Sequence, residues 1–325
     1  MTRYHKILIT GATGFVGQHL IHYIQQNSDV EIVAVGRRPA YIFNALPQKM
    51  TYISLDLLDL EAVKSVLMAE KPDAIFHLAS DSSVAYSWKE PYKCYLNNTY
   101  IFLNLLEAIQ VSKIKCRVLS VGSSEQYGIV PYELCPIFED FYLRPNSPYA
   151  VARVSQEQLS EVFAKNYGMD IVLTRSFNHV GPGQRSDFFI PSIALQLVET
   201  KFSTSKINRE IKVGNLNVVR DYIDVRDVVR AYWMLLFDGV SGQVYNVCSG
   251  LGQNLQQVLE ELISISELSV EILNDPSRIR PVDNPVIIGS NQKIKKATNW
   301  IPEISFSTSL HDVYKYTLEN LVKKN

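Results

Sequence analysis

The chain has 325 residues, a formal net charge of −1, and 46 % hydrophobic against 20 % charged residues. That balance fits a globular protein long enough for two cores, or for one large domain with an annex. It excludes the basic excess of a dedicated nucleic-acid binder and the low-hydrophobicity, high-charge signature of disorder. Cys94, Cys116, Cys135 and Cys248 form no C-x-x-C pair, which argues against a zinc or redox site and for free thiols in a reducing cytosol. Met1–Lys6 runs straight into Ile7-Leu8-Ile9 without a signal-peptide apolar region, and no run reaches the roughly 18 apolar residues of a membrane span. A cytoplasmic protein without a bound metal is expected.

Taken in chain order, short β-rich runs alternate with helical patterns. Lys6–Thr10 predicts a strand that ends at a glycine, and Phe15–Gln26 a helix with apolar residues at helical spacing. Glu31–Val35 and Met50–Leu55 predict strands, Leu60–Glu70 a helix stopped by Pro72, and Ala74–Ala79 a further strand. Asn98–Gln110 predicts an apolar helix, Arg117–Val121 a strand, Pro148–Tyr167 a long helix closed by Gly168, and Asp170–Thr174 a strand. Strands alternating with helices imply right-handed crossovers and an α/β, doubly wound parallel sheet of the Rossmann type. After about Phe177 the rhythm loosens. The expected division is a dinucleotide-binding domain at residues 1–177, receiving parts of about 216–250, and a smaller substrate-binding lobe made mainly of 178–325.

Gly11-Ala-Thr-Gly14-Phe-Val-Gly17 is a G-x-x-G-x-x-G loop between a predicted strand and a predicted helix. Gly11 permits the tight turn, Gly14 lets backbone approach a pyrophosphate, and Gly17 lets the helix pack closely on the sheet. The helix N-terminus then offers unpaired N–H groups to the anion. Where an NAD-preferring fold places Asp or Glu, this chain has Arg37-Arg38 after the second strand. Two guanidiniums suit a ribose 2′-phosphate, so NADP(H) is expected, with NAD(H) as the alternative. Asp56 either meets the adenine or serves as a turn residue.

Two further segments carry chemistry, Val121-Gly-Ser123-Ser-Glu125-Gln-Tyr-Gly128 and Ser147-Pro-Tyr149-Ala-Val-Ala-Arg153. Tyr149 and Arg153 stand four apart and share a helix face. A phenol titrates near 10, and a fixed cation beside one favours the phenolate. Ser123 can hydrogen-bond the substrate oxygen that Tyr149 would protonate.

On these motifs, with His77-Leu78-Ala79 after the fourth strand, the chain resembles the extended short-chain dehydrogenase/reductases that act on nucleotide-sugars. The likeness runs over nearly the whole chain. Within that superfamily it most resembles the GDP-4-keto-6-deoxy-D-mannose reductases, which form GDP-D-rhamnose, and the related GDP-mannose 4,6-dehydratases. The segments responsible include Leu143-Arg-Pro-Asn-Ser-Pro-Tyr149, Arg175-Ser-Phe-Asn-His-Val-Gly-Pro-Gly183, Lys212-Val-Gly-Asn-Leu216, Arg220-Asp-Tyr-Ile-Asp-Val-Arg-Asp227 and Arg278-Ile-Arg-Pro281.

The resemblance implies Tyr149 as acid/base, Ser123 as its hydroxyl partner, and Arg153 in the place of the family lysine that bonds the nicotinamide ribose. Glu125 matches the dehydratase proton shuttle, but similar reductases keep it too, and a structural carboxylate is the other reading. Thr13, Phe15, Val16, Leu57, Leu78 and Ala79 join the glycines, the arginine pair and Asp56 as dinucleotide contacts. Asn178, Arg185, Val213, Arg220 and Arg280 would contact the sugar-nucleotide, Arg220 alternatively pairing with Asp221 or Asp224. Ile101-Phe102 departs from the small pair that relatives carry there, and Arg153 is the chief departure at the site. A GDP-linked 4-keto-6-deoxy sugar is the expected substrate, for polysaccharide biosynthesis, with a dehydratase or a silent NADP-binding sensor as alternatives. The apolar helices Asn98–Gln110 and Pro148–Tyr167 are expected to pair across a two-fold axis as a four-helix bundle, which the resemblance implies, giving a homodimer.

Overall fold

The computed structural model describes residues 4–38, 48–203, 209–279 and 283–323. The first half runs β1 (Lys6–Thr10), α1 (Phe15–Asn27), β2 (Glu31–Gly36), β3 (Met50–Ser54), α2 (Leu60–Glu70), β4 (Ala74–His77), α3 (Val84–Lys89), α4 (Pro91–Tyr95), α5 (Ile101–Ser112), β5 (Arg117–Ser123), α6 (Pro148–Tyr167) and β6 (Asp170–Ser176). There follow β7 (Asn178–Val180), α7 (Phe189–Phe202), β8 (Glu210–Val213), β9 (Val219–Asp224), α8 (Val225–Asp238) and β10 (Val244–Val247). The chain closes with β11 (Gly252–Asn254), α9 (Leu255–Ser266), β12 (Glu271–Asn274), β13 (Val286–Ile287), α10 (Gln292–Thr298) and α11 (Phe306–Val322).

Seven parallel strands form the main sheet in the order β10-β6-β5-β4-β1-β2-β3. The order reverses beside β1, so the ends of β1 and β4 diverge into the crevice where open parallel sheets bind ligands. Alternate side chains feed two cores, as the two-residue strand period requires. Ile7, Ile9, Ala34, Phe76 and Leu119 pack under α1 and α8, together with Trp300. Leu8, Val33, Val35, Ile75, Val118 and Leu173 pack under α2, α5 and α6. A separate core joins α7, α9 and α11 through Ile193, Leu197, Ile211, Leu259, Leu262, Leu310 and Val313. β9 lies between β11 and β13 and also pairs with β7, which places the start of the later half beside the main sheet.

Local chemistry accounts for the element ends. Ser147 caps α6 by accepting from Ala150 N–H, and Pro148 fills the first turn where no N–H partner is needed. Gly168 closes the helix with φ +67°, in the left-handed region that glycine adopts without a Cβ penalty. Several predicted bounds differ by one or two residues, β5 running on to Ser123 and β6 to Ser176. β4 ends at His77, and the helix expected from Asn98 is a π turn over Leu96–Tyr100 that passes into α5 at Ile101. In that turn Asn98 donates its side-chain amide to Cys94 O at 2.7 Å, which helps hold the wider backbone. Among the described residues no helix is long and apolar enough to cross a membrane, and no cluster of three or more His, Cys, Asp or Glu could hold a metal ion.

Candidate active site

The glycine loop leaves β1 and opens α1. Gly11 has φ +69°, and a Cβ there would meet Ala79 N at 2.7 Å. At Gly17 a Cβ would lie 2.4 Å from Gly11 O, so loop and helix approach too closely for any side chain. Gly14 is the N-cap of α1, makes no side-chain cap, and no acidic residue stands in the first turn. The positive end of a 13-residue helix is therefore presented to the crevice without an internal anion. Thr13 is buried, and Phe15 and Val16 are half-buried beside it. Arg37 and Arg38 follow β2, are exposed, and make no ion pair among the described residues. Asp56 is exposed and accepts from Leu58 N–H at 3.0 Å, the turn role left open above, while Leu57 is buried. These features fit a dinucleotide: a side-chain-free cradle, a bare helix N-terminus, and a cation pair at the end of β2.

Across the crevice, β4 ends beside β1. Thr10 Oγ1 accepts from Ala79 N–H at 3.2 Å and is hydrogen-bonded to His77 Nδ1 at 3.0 Å. His77 Nε2 is buried without a partner among the described residues. Burial, then the nearby Arg153 charge, lowers the imidazole to about 3. Phe102 lies against this ring, with the ring centres 4.9 Å apart.

Ser123 ends β5. Its Oγ accepts from Glu125 N–H at 3.3 Å, and its N–H donates to Gln126 Oε1 at 2.8 Å. Among the described residues the hydroxyl proton of Ser123 has no acceptor, which leaves it available to a substrate oxygen. Tyr149 stands in the first turn of α6, is 6 % exposed, and its hydroxyl has no protein partner among the described residues. Arg153 comes one turn later, with its guanidinium carbon 5.3 Å from the centre of the Tyr149 ring. It donates from Nη1 to Val121 O at 3.0 Å, which draws α6 onto the end of β5 where Ser123 sits. Glu125, half-buried, belongs to the short turn after Ser123.

Below this level a buried polar network holds the strand ends. Glu157 on α6 pairs with Arg175 through both oxygens, at 2.9 and 2.5 Å, and accepts from Gln126 at 2.6 Å. Arg175 also donates to Tyr127, which donates to Asn246 on β10 at 2.7 Å. Ser176 and Tyr232 are 2.6 Å apart through their hydroxyls.

The expected sugar-nucleotide residues lie on the later elements. Asn178 begins β7, with Nδ2 3.5 Å from Asp221 O, and buried Val213 ends β8. Arg220 is 7 % exposed and bonds Asp283 at 2.5 Å and Asn284 O at 2.6 Å, so its counter-ion is neither Asp221 nor Asp224. Asp221 instead accepts from the N–H and hydroxyl of Ser249 and from the N–H groups of Gly250 and Gly289. Arg185 is exposed and paired with Asp187 at 2.8 Å. Arg280 lies outside the described residues. Sequence reasoning passed over Asp283, His77's bond to Thr10, and Gln156, which accepts from Arg153 at 2.6 Å. Only Gln156 had a readable signal, its position three residues after Arg153 on the same helix face.

Comparison with known proteins identifies the family. The family model described as GDP-mannose 4,6 dehydratase matches residues 8–313. A GDP-6-deoxy-D-mannose reductase of Pseudomonas aeruginosa is 34 % identical over 95 % of both chains. A GDP-6-deoxy-D-talose 4-dehydrogenase of Aggregatibacter actinomycetemcomitans is 29 % identical over 97 % of this chain and 99 % of its own. The solved structure of RMD from Pseudomonas aeruginosa complexed with NADPH superposes with a TM-score of 0.83 at 31 % identity, covering 97 % of this chain and 99 % of that one.

Proposed function

Because the chain belongs to the GDP-mannose 4,6-dehydratase family, we propose that it is an NADPH-dependent reductase of the C4 ketone of a GDP-4-keto-6-deoxy sugar, forming GDP-D-rhamnose or its C4 epimer. The observation that carries this reading is the convergence of Ser123, Tyr149 and Arg153 at the end of β5, each with a polar group that has no partner among the described residues, across the crevice from an uncapped α1. The 34 % identical reductase supports the substrate class.

In this reading Gly11, Gly14 and Gly17 clear space for the pyrophosphate, and the N-terminus of α1 meets its charge. Arg37 and Arg38 take the 2′-phosphate, with Thr13, Phe15, Val16, Asp56, Leu57, Leu78 and Ala79 along the remaining path. The dinucleotide, when bound, supplies hydride. Ser123 donates its free proton to the C4 oxygen and orients it, and the Tyr149 hydroxyl delivers the proton that completes the alcohol. Arg153 bonds the nicotinamide ribose and stabilises negative charge on the phenolic oxygen. Asn178, Arg185, Val213, Arg220 and Arg280 line the sugar-nucleotide side. We assign the dinucleotide to residues 1–177 with parts of about 216–250, and the sugar nucleotide mainly to 178–325.

The enzyme is further proposed to act in the cytoplasm, in keeping with its four unpaired cysteines, and as a homodimer. Tyr92, Tyr95, Tyr100, Val151 and Val162 leave an apolar face exposed along α4 to α6, which supports the pairing of those helices across a two-fold axis. The test of function is NADPH absorbance with a panel of GDP-, dTDP-, CDP- and UDP-4-keto sugars. Stoichiometric oxidation with the GDP-keto sugar is expected. Consumption of GDP-mannose without net change in NADPH would mark a dehydratase instead, and binding of NADPH without turnover of any sugar a sensor.

A further inference from the structure

Arginine at position 153 poses a problem that lysine does not. The residue is 4 % exposed, and its guanidinium is permanently charged and has no carboxylate partner among the described residues. A planar fork can also present any of several N–H edges, and only one can face a ligand usefully. The structure restrains it through a single nitrogen. Nη1 donates to Val121 O at 3.0 Å and to Gln156 Oε1 at 2.6 Å, which uses both of its protons. Nε is buried without a partner, and Nη2 makes no hydrogen bond to the described protein.

Gln156 is itself fixed. Its Nε2 donates to Ser120 Oγ at 3.0 Å and to Val121 O at 3.1 Å, and Ser160 Oγ donates to Ser120 Oγ at 3.3 Å. Gln156, Ser120 and Ser160 are all buried. Rotating the amide by half a turn would set its NH2 against the Nη1 protons of Arg153 and its oxygen against Val121 O. The amide therefore has one satisfactory orientation, with its acceptor toward the arginine.

We infer that Gln156 is a positioning residue that holds the Arg153 guanidinium by Nη1, so that Nη2 is the nitrogen presented to the nicotinamide ribose. Its two N–H donors can meet neighbouring hydroxyls. A lysine ammonium has a single nitrogen and no edge to orient, so the role of Gln156 exists because arginine stands at 153. This rests on the proposed function only in taking Arg153 as the contact to the ribose.

The test is a double-mutant cycle on the full-length enzyme, read by NADPH affinity from fluorescence titration and by kcat and KM for the keto sugar. Gln156→Leu with Arg153 retained is expected to weaken NADPH binding about tenfold and lower kcat about tenfold, while KM for the sugar moves less than about twofold. In an Arg153→Lys background the same Gln156→Leu change is expected to alter NADPH affinity by less than about twofold. Gln156→Glu keeps an acceptor for Nη1 and is expected to bind NADPH better than Gln156→Leu. If Gln156 only fills the core, the leucine variant costs the same in both backgrounds and the glutamate variant is the worse of the two, and either result overturns the inference. NADPH affinity unchanged in Gln156→Leu overturns it as well. A wild type that binds NADPH but reduces no keto sugar rejects the reductase reading alone, and the binding cycle still decides on Gln156. A wild type that binds no dinucleotide overturns both.

Discussion

Tyr149 is nearly buried, yet its hydroxyl has no protein partner among the described residues and is not sealed from solvent, so it stands open to a ligand oxygen. That makes the phenol the residue on which the proposed chemistry depends. Tyr149→Phe removes one oxygen and no packing, so NADPH affinity should stay within about twofold while kcat falls at least about 100-fold. Turnover near the wild-type rate would reject the phenol as the acid. His77 and His179 carry a different consequence. Burial, with Arg153 second, holds His77 at about 3, and burial holds His179 at about 4, both below the usual 6.5. The folded protein keeps both neutral where the unfolded chain binds protons, so their contribution to stability is full above about 6.5 and is lost as pH falls through those folded values. Asp221 runs the other way. Burial raises it to about 6 against its hydrogen bonds, so between 6 and 3.8 the folded state binds the extra proton and gains on acidification. His19 is lowered by burial in the same way, and Glu139 and Glu161 are raised by it, so the share of His77 is read by difference, from urea unfolding of wild type and variant at pH 7 and pH 4.5. His77→Gln should lose about 3 kcal/mol less than wild type over that interval, since each pKa unit is worth about 1.4 kcal/mol and about two units lie between 6.5 and 4.5. An acid slope identical to wild type in that variant would remove His77 from the account.

α1 shows how a helix can be set by what its first turn lacks. Gly14 caps it without a side chain, and Gly17 sits where a Cβ would press to 2.4 Å from Gly11 O and 2.8 Å from Ala12 Cα. Both opposing atoms are backbone and cannot swing aside. Gly17→Ala should therefore displace the loop, cost about 1–3 kcal/mol of stability, and weaken NADPH binding well beyond any loss in folding. Wild-type melting temperature and NADPH affinity together would show that the loop has slack the contacts deny. This element was legible in the sequence because its constraint is local: a β-branched run, three spaced glycines, then apolar residues at helical spacing. The same held for α6, where Pro148 and Gly168 bracket the helix. The π turn at Leu96–Tyr100 was not legible, because one extra backbone residue leaves the apolar pattern nearly intact. Nor was Arg220's partner, since Asp283 is 63 positions away and only the tertiary fold brings it near. Gln156 lies between these cases, visible as a helix neighbour of Arg153 yet without a role until Val121 O and Ser120 fix its amide.

At the scale of the whole molecule, the face formed by α4, the π turn and α6 leaves large apolar side chains exposed among the described residues. Tyr95 is 40 % exposed and Val151 44 % exposed, and both line one groove with Trp88, Pro91, Pro145 and Pro148. Tyr95 reaches α6 through Ser155 Oγ at 3.3 Å, so α4 and α6 already form one half of a bundle. The other half can come from a second copy, because a two-fold axis sets the same patch against itself. α6 is 20 residues long, about 30 Å, enough to carry one side of a standard interface of roughly 800 Å² per partner. The same helix bears Tyr149 and Arg153 on its buried side, so dimerisation would stiffen the element that positions the proposed acid. Sedimentation of the wild type at micromolar concentration should give a dimer. Val151→Glu would set two carboxylates near the axis in an apolar seam, and it should yield a monomer that retains NADPH binding but turns over more slowly. A wild type that sediments only as a monomer would remove the dimer. A Val151→Glu dimer as tight as wild type would move the axis away from α6.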